Sequence, residues 1–211
     1  MSKPEAKKRQ PPNDNVPLVR LEETHTRNCR VLPTRTHLLE HLPADGVVAE
    51  VGVASGNFTK EILARCQPAK LHLIDTWESD RFQPGLEHVR QRFSDELARG
   101  QIVVSQGLST ECLAEFPATY FDWVYIDTDH SYPTTRAELR LAADKVKPGG
   151  FIAGHDFTRG NPVRGVTYGV IQACNEFCVN ERWEYAFVTL EPSGHFSFAL
   201  RRLGDLRQPR T

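Results

Sequence analysis

Two short stretches of this chain concentrate ionisable side chains: Asp127-Thr128-Asp129-His130 and Gly154-His155-Asp156. Carboxylates and imidazoles grouped in this way can hold a divalent cation or take a proton from a substrate near neutral pH, which makes His130 and Asp129 candidate bases. Each group ends an apolar run, Phe121 to Asp127 (FDWVYID) and Phe151 to Ala153, that reads as a buried strand. Thr135 and Glu138 match a capping box for the helix that follows the first cluster. Both clusters are therefore expected on loops at neighbouring strand ends, on the edge where an open α/β sheet binds its ligands.

A third stretch organises the rest. Val47 to Ala64 reads VVAEVGVASGNFTKEILA. Val47, Val48, Ala49, Val51 and Val53 form the short apolar run of a strand covered on both faces in a parallel sheet, and Phe58, Ile62, Leu63 and Cys66 recur at helical spacing. Gly52 and Gly56 lie between strand and helix, where the absence of Cβ permits a sharp turn and a close ligand approach. A dinucleotide fingerprint needs three glycines as G-x-G-x-x-G, and this turn has two. An acid, Glu50, precedes the turn, and a second, Asp75, ends the next apolar run, Leu71 to Asp75.

The 211 residues suit one domain, expected over 18–203. Residues 1–17 hold Lys7-Lys8-Arg9, four prolines and little that is apolar, so they are expected to form a flexible tail, as are residues 204–211. With 26 basic and 27 acidic side chains, no overall field favours nucleic acid or an anionic membrane. No apolar run approaches a membrane span, and the N-terminal residues lack the hydrophobic stretch of a signal peptide, so a cytoplasmic location is expected. Five cysteines with no C-x-x-C pair argue against a disulfide framework and a zinc ribbon. Cys174 and Cys178, four apart on an expected helix, are read as packing residues.

Around the turn, the remaining elements follow in order. Pro33 to Leu42 reads as a short helix, with Arg35 and His37 as candidates for a site rim. Thr76 to Phe82 is a polar loop whose aromatics, Trp77 and Phe82, would either stack on a ligand or anchor the next helix. That helix opens at Pro84 and runs past Leu97, before a strand over residues 101–105 and the turn Gly107-Leu108-Ser109. Lys147-Pro148-Gly149-Gly150 reads as a turn, and Phe157 to Pro162 as a lid-like loop. Trp183 to Leu190 and His195 to Leu200 leave no room for a crossover helix and must pair antiparallel.

Taken together, EVGVASGNF and LIDTW resemble the first two motifs of class I S-adenosylmethionine-dependent methyltransferases. YIDTDHSY, KPGGFIAGHDF and GHFSFALR are similar to the small bacterial family that includes sugar and macrolide O-methyltransferases. The resemblance implies an α/β, Rossmann-like, doubly wound sheet of seven mostly parallel strands with the last reversed. It implies S-adenosyl-L-methionine as cofactor, with Glu50 near its amino group and Asp75 on its ribose. Gly52, Ser55, Gly56, Asn57, Thr76, Trp77 and Asp127 would surround it, and Gly107, Leu108 and Ser109 would hold the adenine. It further implies a divalent metal, magnesium or manganese, on Asp127, His155 and Asp156, although relatives usually carry an oxygen donor where this chain has His155.

The expected reaction is methyl transfer to a small-molecule acceptor, most simply a hydroxyl oxygen of a sugar-like or natural product, with His130 or Asp129 receiving the proton. The expected partners are that acceptor and, for a homo-oligomer, a second copy of the chain, with no nucleic acid and no membrane. Two other classes fit part of the pattern. A metallohydrolase would use Asp127, Asp129, His130, His155 and Asp156 but leave Glu50, the glycine turn and Asp75 without a task. A non-catalytic nucleoside-binding module would use the turn and leave the two ionisable clusters unexplained.

Overall fold

A computed structural model describes residues 16–163 and 165–204. The tails expected at 1–17 and 204–211 therefore fall almost wholly outside the described residues. In chain order the strands are β1 (Arg30–Leu32), β2 (Val47–Val51), β3 (Lys70–Asp75), β4 (Ile102–Gln106), β5 (Phe121–Ile126), β6 (Val146–Gly154), β7 (Gly160–Asn161), β8 (Val166–Thr167), β9 (Trp183–Thr189) and β10 (Phe198–Arg202). The helices are α1 (Arg35–Leu39), α2 (Asn57–Cys66), α3 (Gln83–Arg92), α4 (Ser94–Ala98), α5 (Ser109–Glu115), α6 (Tyr132–Lys145) and α7 (Val170–Glu181).

Eight strands form one sheet in the order β1-β9-β10-β6-β5-β2-β3-β4, and β7 and β8 make a separate two-residue ladder. The seven expected strands are all in the large sheet. β10 runs antiparallel to both neighbours, β9 and β6, while β2, β3, β4, β5 and β6 pair in parallel. The eighth strand, β1, lies parallel to β9 with Arg30 opposite Phe187. It is three residues long and only Leu32 is buried, too little for an alternating pattern to mark it.

The apolar runs work because alternate residues of each strand serve opposite layers. Leu71, Leu73, Trp123 and Tyr125 pack with Leu38 and Leu39 of α1, Phe58 and Ile62 of α2 and Val89 of α3. Ile74, Val124, Ile126 and Ile152 pack on the other face with Leu113 of α5, Leu139 and Ala142 of α6, and Cys174, Phe177 and Cys178 of α7. Cys174 and Cys178 are buried free thiols, as their spacing implies. No helix among the described residues is long and apolar enough to cross a membrane.

Three local expectations change. The helix opened by Pro84 breaks at Phe93, where φ −115° and ψ 32° are not helical, and resumes as α4. Lys147 to Gly150 is not a free turn but an irregular stretch of β6. The register slips between Phe121 opposite Val146 and Trp123 opposite Phe151, and Gly149 takes φ +77°. The cap of α6 is Ser131, whose side chain accepts the N–H of Thr134. Glu138 lies inside the helix, fully buried, and accepts a hydrogen bond from Thr128 Oγ1 at 3.0 Å.

Candidate active site

The glycine turn joins β2 to α2 through three left-handed residues, Gly52 at φ +90°, Ala54 at φ +51° and Gly56 at φ +75°. A Cβ on Gly52 would lie 2.0 Å from the Asp127 carbonyl oxygen, so this glycine lets the loop after β5 pass against the turn. A Cβ on Gly56 would meet Phe93 and Val89, so its task is to seat α3 and it does not line the site. Four peptide N–H groups of the turn are engaged. Gly52 donates to Ile74 O and Gly56 to Val53 O, while Val53 and Ala54 both donate to Asp75 Oδ2 at 2.8 Å.

A cavity of about 910 Å³ runs along the carboxyl edge of the sheet. Glu50, Gly52, Ser55, Asn57, Asp75, Thr76, Gly107, Leu108, Ser109 and Asp127 line it, as do Asp129, His130, His155 and Asp156. Trp77 does not. Its indole is 2% exposed and its Nε1 donates to Ala54 O at 2.7 Å, so it anchors the glycine turn from behind instead of stacking on a ligand. His37 is likewise absent from the wall, its Nδ1 being paired with Thr34 Oγ1. Arg35 is present. The donor set fits the expected cofactor. An acid on β2, an acid on β3 and hydroxyls at the start of α5 face one space, and their strands are neighbours in the order β5-β2-β3-β4.

At the β5 and β6 ends of the cavity the charges gather. His130 Nε2 lies 3.1 Å from Asp127 Oδ1 and 2.8 Å from Asp156 Oδ2. One atom from each of Asp127, His130 and Asp156 falls within 4.8 Å of the others, a grouping able to hold a cation. The expected trio contained His155. That residue turns its Nδ1 to Ser197 Oγ at 2.9 Å, and His130 joins the two aspartates in its place. His130 reaches them because it adopts the left-handed φ of +63° and its carbonyl is held by the N–H of Gly169. Asp129 is mainly a turn residue, accepting from Ser131 N and Ser131 Oγ and from Thr134 Oγ1.

Burial alone would lower the His130 imidazole, but its bonds to Asp127 and Asp156 outweigh that and push it up to about 9. It therefore holds a proton at neutral pH and is itself the cation between the two carboxylates. Burial would raise Asp156, yet the bonds from His130 and His195 bring it down to about 2. His155 shifts the other way, lowered chiefly by burial. Glu50 is 1% exposed, and burial pushes its carboxyl up to about 8 despite the hydrogen bond from Thr59 Oγ1 at 2.6 Å. Glu138 rises to about 7, also through burial.

His195, Tyr168 and Asn161 also line the cavity; none was a candidate site residue from the sequence, although Asn161 belongs to the loop Phe157 to Pro162 expected to be lid-like. His195 Nδ1 is paired with Asp156 Oδ1, and the Tyr168 ring lies 4.7 Å from that of His130. A signal for His195 did exist. β10 pairs antiparallel with β6, with Phe198 opposite Gly154, so residues just before β10 must emerge beside residues just after β6. Tyr168 and Asn161 come from the β7–β8 segment, whose path has no periodicity to read.

The fold and this row of acids at the strand ends define a class I methyltransferase. A family described as a methyltransferase domain matches residues 49–157, which covers β2 through the loop after β6. The chain belongs to that methyltransferase-domain family. No curated protein matches it by sequence. Among solved structures it is similar to the pyocyanin biosynthetic protein PhzM, at 15% identity over 79% of this chain and 54% of that one, with a TM-score of 0.59. It thus spans about half the length of that protein. A SAM dependent methyltransferase from Aquifex aeolicus aligns at 13% identity over 79% and 87%, TM-score 0.59. A spermidine synthase in complex with the transition state analogue AdoDATO aligns at 14% over 82% and 62%, TM-score 0.56. At these identities the likeness is one of fold. Membership of the methyltransferase family does not favour the metallohydrolase or the nucleoside-binding module.

Proposed function

We propose that the protein transfers the methyl group of S-adenosylmethionine to a hydroxyl oxygen of a small polar acceptor, which sits against Asp127, His130 and Asp156. One observation carries the reading: the Asp127–His130–Asp156 group lies in the same cavity as Glu50, Asp75 and Ser109. Four strand intervals separate β6 from β4 along this edge, about 19 Å at the usual spacing. That length suits a nucleoside with an amino-acid tail and an acceptor beyond it.

The cofactor supplies an already activated methyl group, so the task of the chain is alignment, an effect worth about 7–11 kcal/mol when the reacting atoms are well oriented. Asp75 retains acceptor capacity for ribose hydroxyls, since a carboxylate has about four lone-pair sites and three N–H groups use it here, those of Val53, Ala54 and Trp77. Two carboxylates and an imidazole also fit a divalent cation, and the nitrogen favours manganese or iron over magnesium. Bound there, such an ion would acidify the acceptor hydroxyl. Of the chain's own groups, His130 lies with Nε2 between Asp127 and Asp156 and Tyr168 flanks its ring; with an ion in place that nitrogen would be a ligand, and without one it can take the acceptor's proton only as pH rises toward about 9.

The test is a screen with methyl-labelled cofactor against sugars, phenols and small acids, run with chelator, with magnesium and with manganese. Label is expected in a hydroxyl-bearing acceptor, with turnover lost on chelation and restored by metal. Label only in nitrogen acceptors would overturn the oxygen assignment, and full turnover after exhaustive chelation would overturn the metal.

A further inference from the structure

Behind the Asp127–His130–Asp156 group runs a short chain of polar side chains that the reading above leaves without a task. Tyr125 Oη lies 3.0 Å from Ser197 Oγ, and Ser197 Oγ lies 2.9 Å from His155 Nδ1. Tyr125 and Ser197 are both fully buried, so their protons must find acceptors inside the protein. Ser197 is also held from its backbone, its N–H donating to Thr189 Oγ1 at 2.7 Å and its carbonyl accepting the Thr189 N–H at 3.0 Å.

Burial fixes the direction of this chain. A phenol has one proton, and the acceptor for it among the described residues is Ser197 Oγ. Were Ser197 to donate instead, the phenol proton would be buried without a partner, which costs about 1–3 kcal/mol. The Arg35 guanidinium, which has donors and no acceptor, also acts on the phenol and favours the same direction. Ser197 therefore directs its own proton to His155 Nδ1, the other partner of its Oγ. A neutral imidazole that accepts at Nδ1 carries its proton at Nε2, and a doubly protonated ring carries one there as well, so the result does not depend on the charge of His155. Nε2 meets no partner among the described residues and is not a buried orphan, so it opens on the cavity that His155 lines.

We infer that the Tyr125–Ser197–His155 chain makes His155 a fixed hydrogen-bond donor to the methyl acceptor, and so selects acceptors with an uncharged lone-pair oxygen, a carbonyl or an ether, on the carbon beside the hydroxyl. This deepens the methyl-transfer reading above and rests on it. A ring with its proton at Nε2 neither ligates a cation nor takes a proton through that nitrogen, which separates His155 from Asp127, His130 and Asp156. His155 precedes Asp156 in the chain and feels the charge of both aspartates, so the oxygen it meets lies close to the hydroxyl they receive. Three acids, Asp127, Asp129 and Asp156, share this part of the wall with Arg35 and His130. No surplus positive charge is left for an anionic group, and an uncharged oxygen is the better match for a donor there.

The experiment reads the tautomer by long-range nitrogen–proton NMR correlation on histidine-labelled protein at about pH 8, above the ordinary imidazole range, with His155 assigned from His155→Gln. Wild type is expected to carry the proton on Nε2 with Nδ1 bare. Tyr125→Phe removes the proton that Ser197 must receive and should give a mixture of the two tautomers. A wild-type ring protonated at Nδ1, or an unchanged tautomer in Tyr125→Phe, would overturn the proposal. Should Tyr125→Phe fail to fold, Ser197→Ala takes its place with the same two outcomes. Among acceptors that take label in the screen above, His155→Gln keeps an N–H donor and should hold KM near wild type. His155→Leu should raise KM about 10-fold for acceptors with the neighbouring oxygen and leave it unchanged for those without. An equal effect on both kinds of acceptor, or none on either, would overturn the selection of acceptor. Absence of label from every acceptor would instead overturn the methyl-transfer reading itself, while the tautomer still decides whether His155 is a donor.

Discussion

The carboxylate of Asp75 accepts the backbone N–H of Ala54 at 2.8 Å, and the same oxygen takes the N–H of Val53 at the same distance. The acid that ends β3 is therefore part of the glycine turn before any ligand arrives. Two tasks sit on one side chain, and they can be separated.

Asp75→Ala should weaken S-adenosylhomocysteine binding by about 1.5–3 kcal/mol and also destabilise the free protein by about 1–3 kcal/mol, because three peptide N–H groups, those of Val53, Ala54 and Trp77, lose their partner. Asp75→Asn keeps a carbonyl acceptor for the turn and should lose binding while retaining most of the stability. Calorimetry and urea unfolding on the two variants check this. Unchanged binding in both would remove Asp75 from the ribose.

Gly52→Ala should act through the fold first. The new Cβ would fall on the Asp127 carbonyl at 2.0 Å, in a left-handed residue at φ +90°, and the loss should be about 3 kcal/mol or more. The reading from sequence was that bulk here blocks the cofactor directly. A melting temperature lowered in the absence of ligand distinguishes the two, and a wild-type melting temperature with lost binding would restore the first.

Glu50 gives a pH dependence whose sign is fixed. Its folded pKa, about 8, lies above the ordinary value of 4.5, so the folded state binds the proton more tightly than the unfolded chain. The stability it contributes is complete below about pH 4.5 and is lost as pH rises through about 8. Glu50→Gln keeps an oxygen for Thr59 and cannot ionise. It should be more stable than wild type at pH 8, by an amount on the order of 2–4 kcal/mol, and nearly equal at pH 4.5. The same variant should bind S-adenosylhomocysteine more weakly. Denaturant midpoints at the two pH values decide it, and equal differences at both would contradict the burial of the charge.

The two candidate bases differ in what holds them. Asp129 is tied to Ser131 and Thr134 at the start of α6, whereas His130 sits between Asp127 and Asp156. His130→Ala is expected to lose about 10²- to 10⁴-fold in turnover with cofactor affinity intact, and Asp129→Asn to retain most activity with a modest loss of stability. Single-turnover rates on both variants test this. The reverse pattern would return the proton to Asp129.

What could be read from the chain by itself was whatever rests on local physics. Alternating apolar runs, the spacing of Gly52 and Gly56 and the acids ending strands are enough to specify a parallel sheet, its turn and the edge that carries the site. Seven of the eight strands of the large sheet were legible for that reason. What only the tertiary structure decided was direction. A side chain's partner depends on which neighbours the packed backbone brings within 3 Å, and that is not encoded in spacing. Trp77 turns inward to Ala54 because the loop after β3 folds under the turn. His130, not His155, closes on the two aspartates because a left-handed residue after β5 swings it across, while Ser197 on the way to β10 draws His155 aside. Arg35 and His195 join the site from chain segments 92 and 68 residues from Asp127 in number, carried there by the pairing of β1 with β9 and of β10 with β6. Contacts of that range are a property of the closed fold, since only there is the entropy of bringing such distant segments together offset by the burial of the sheet's two faces.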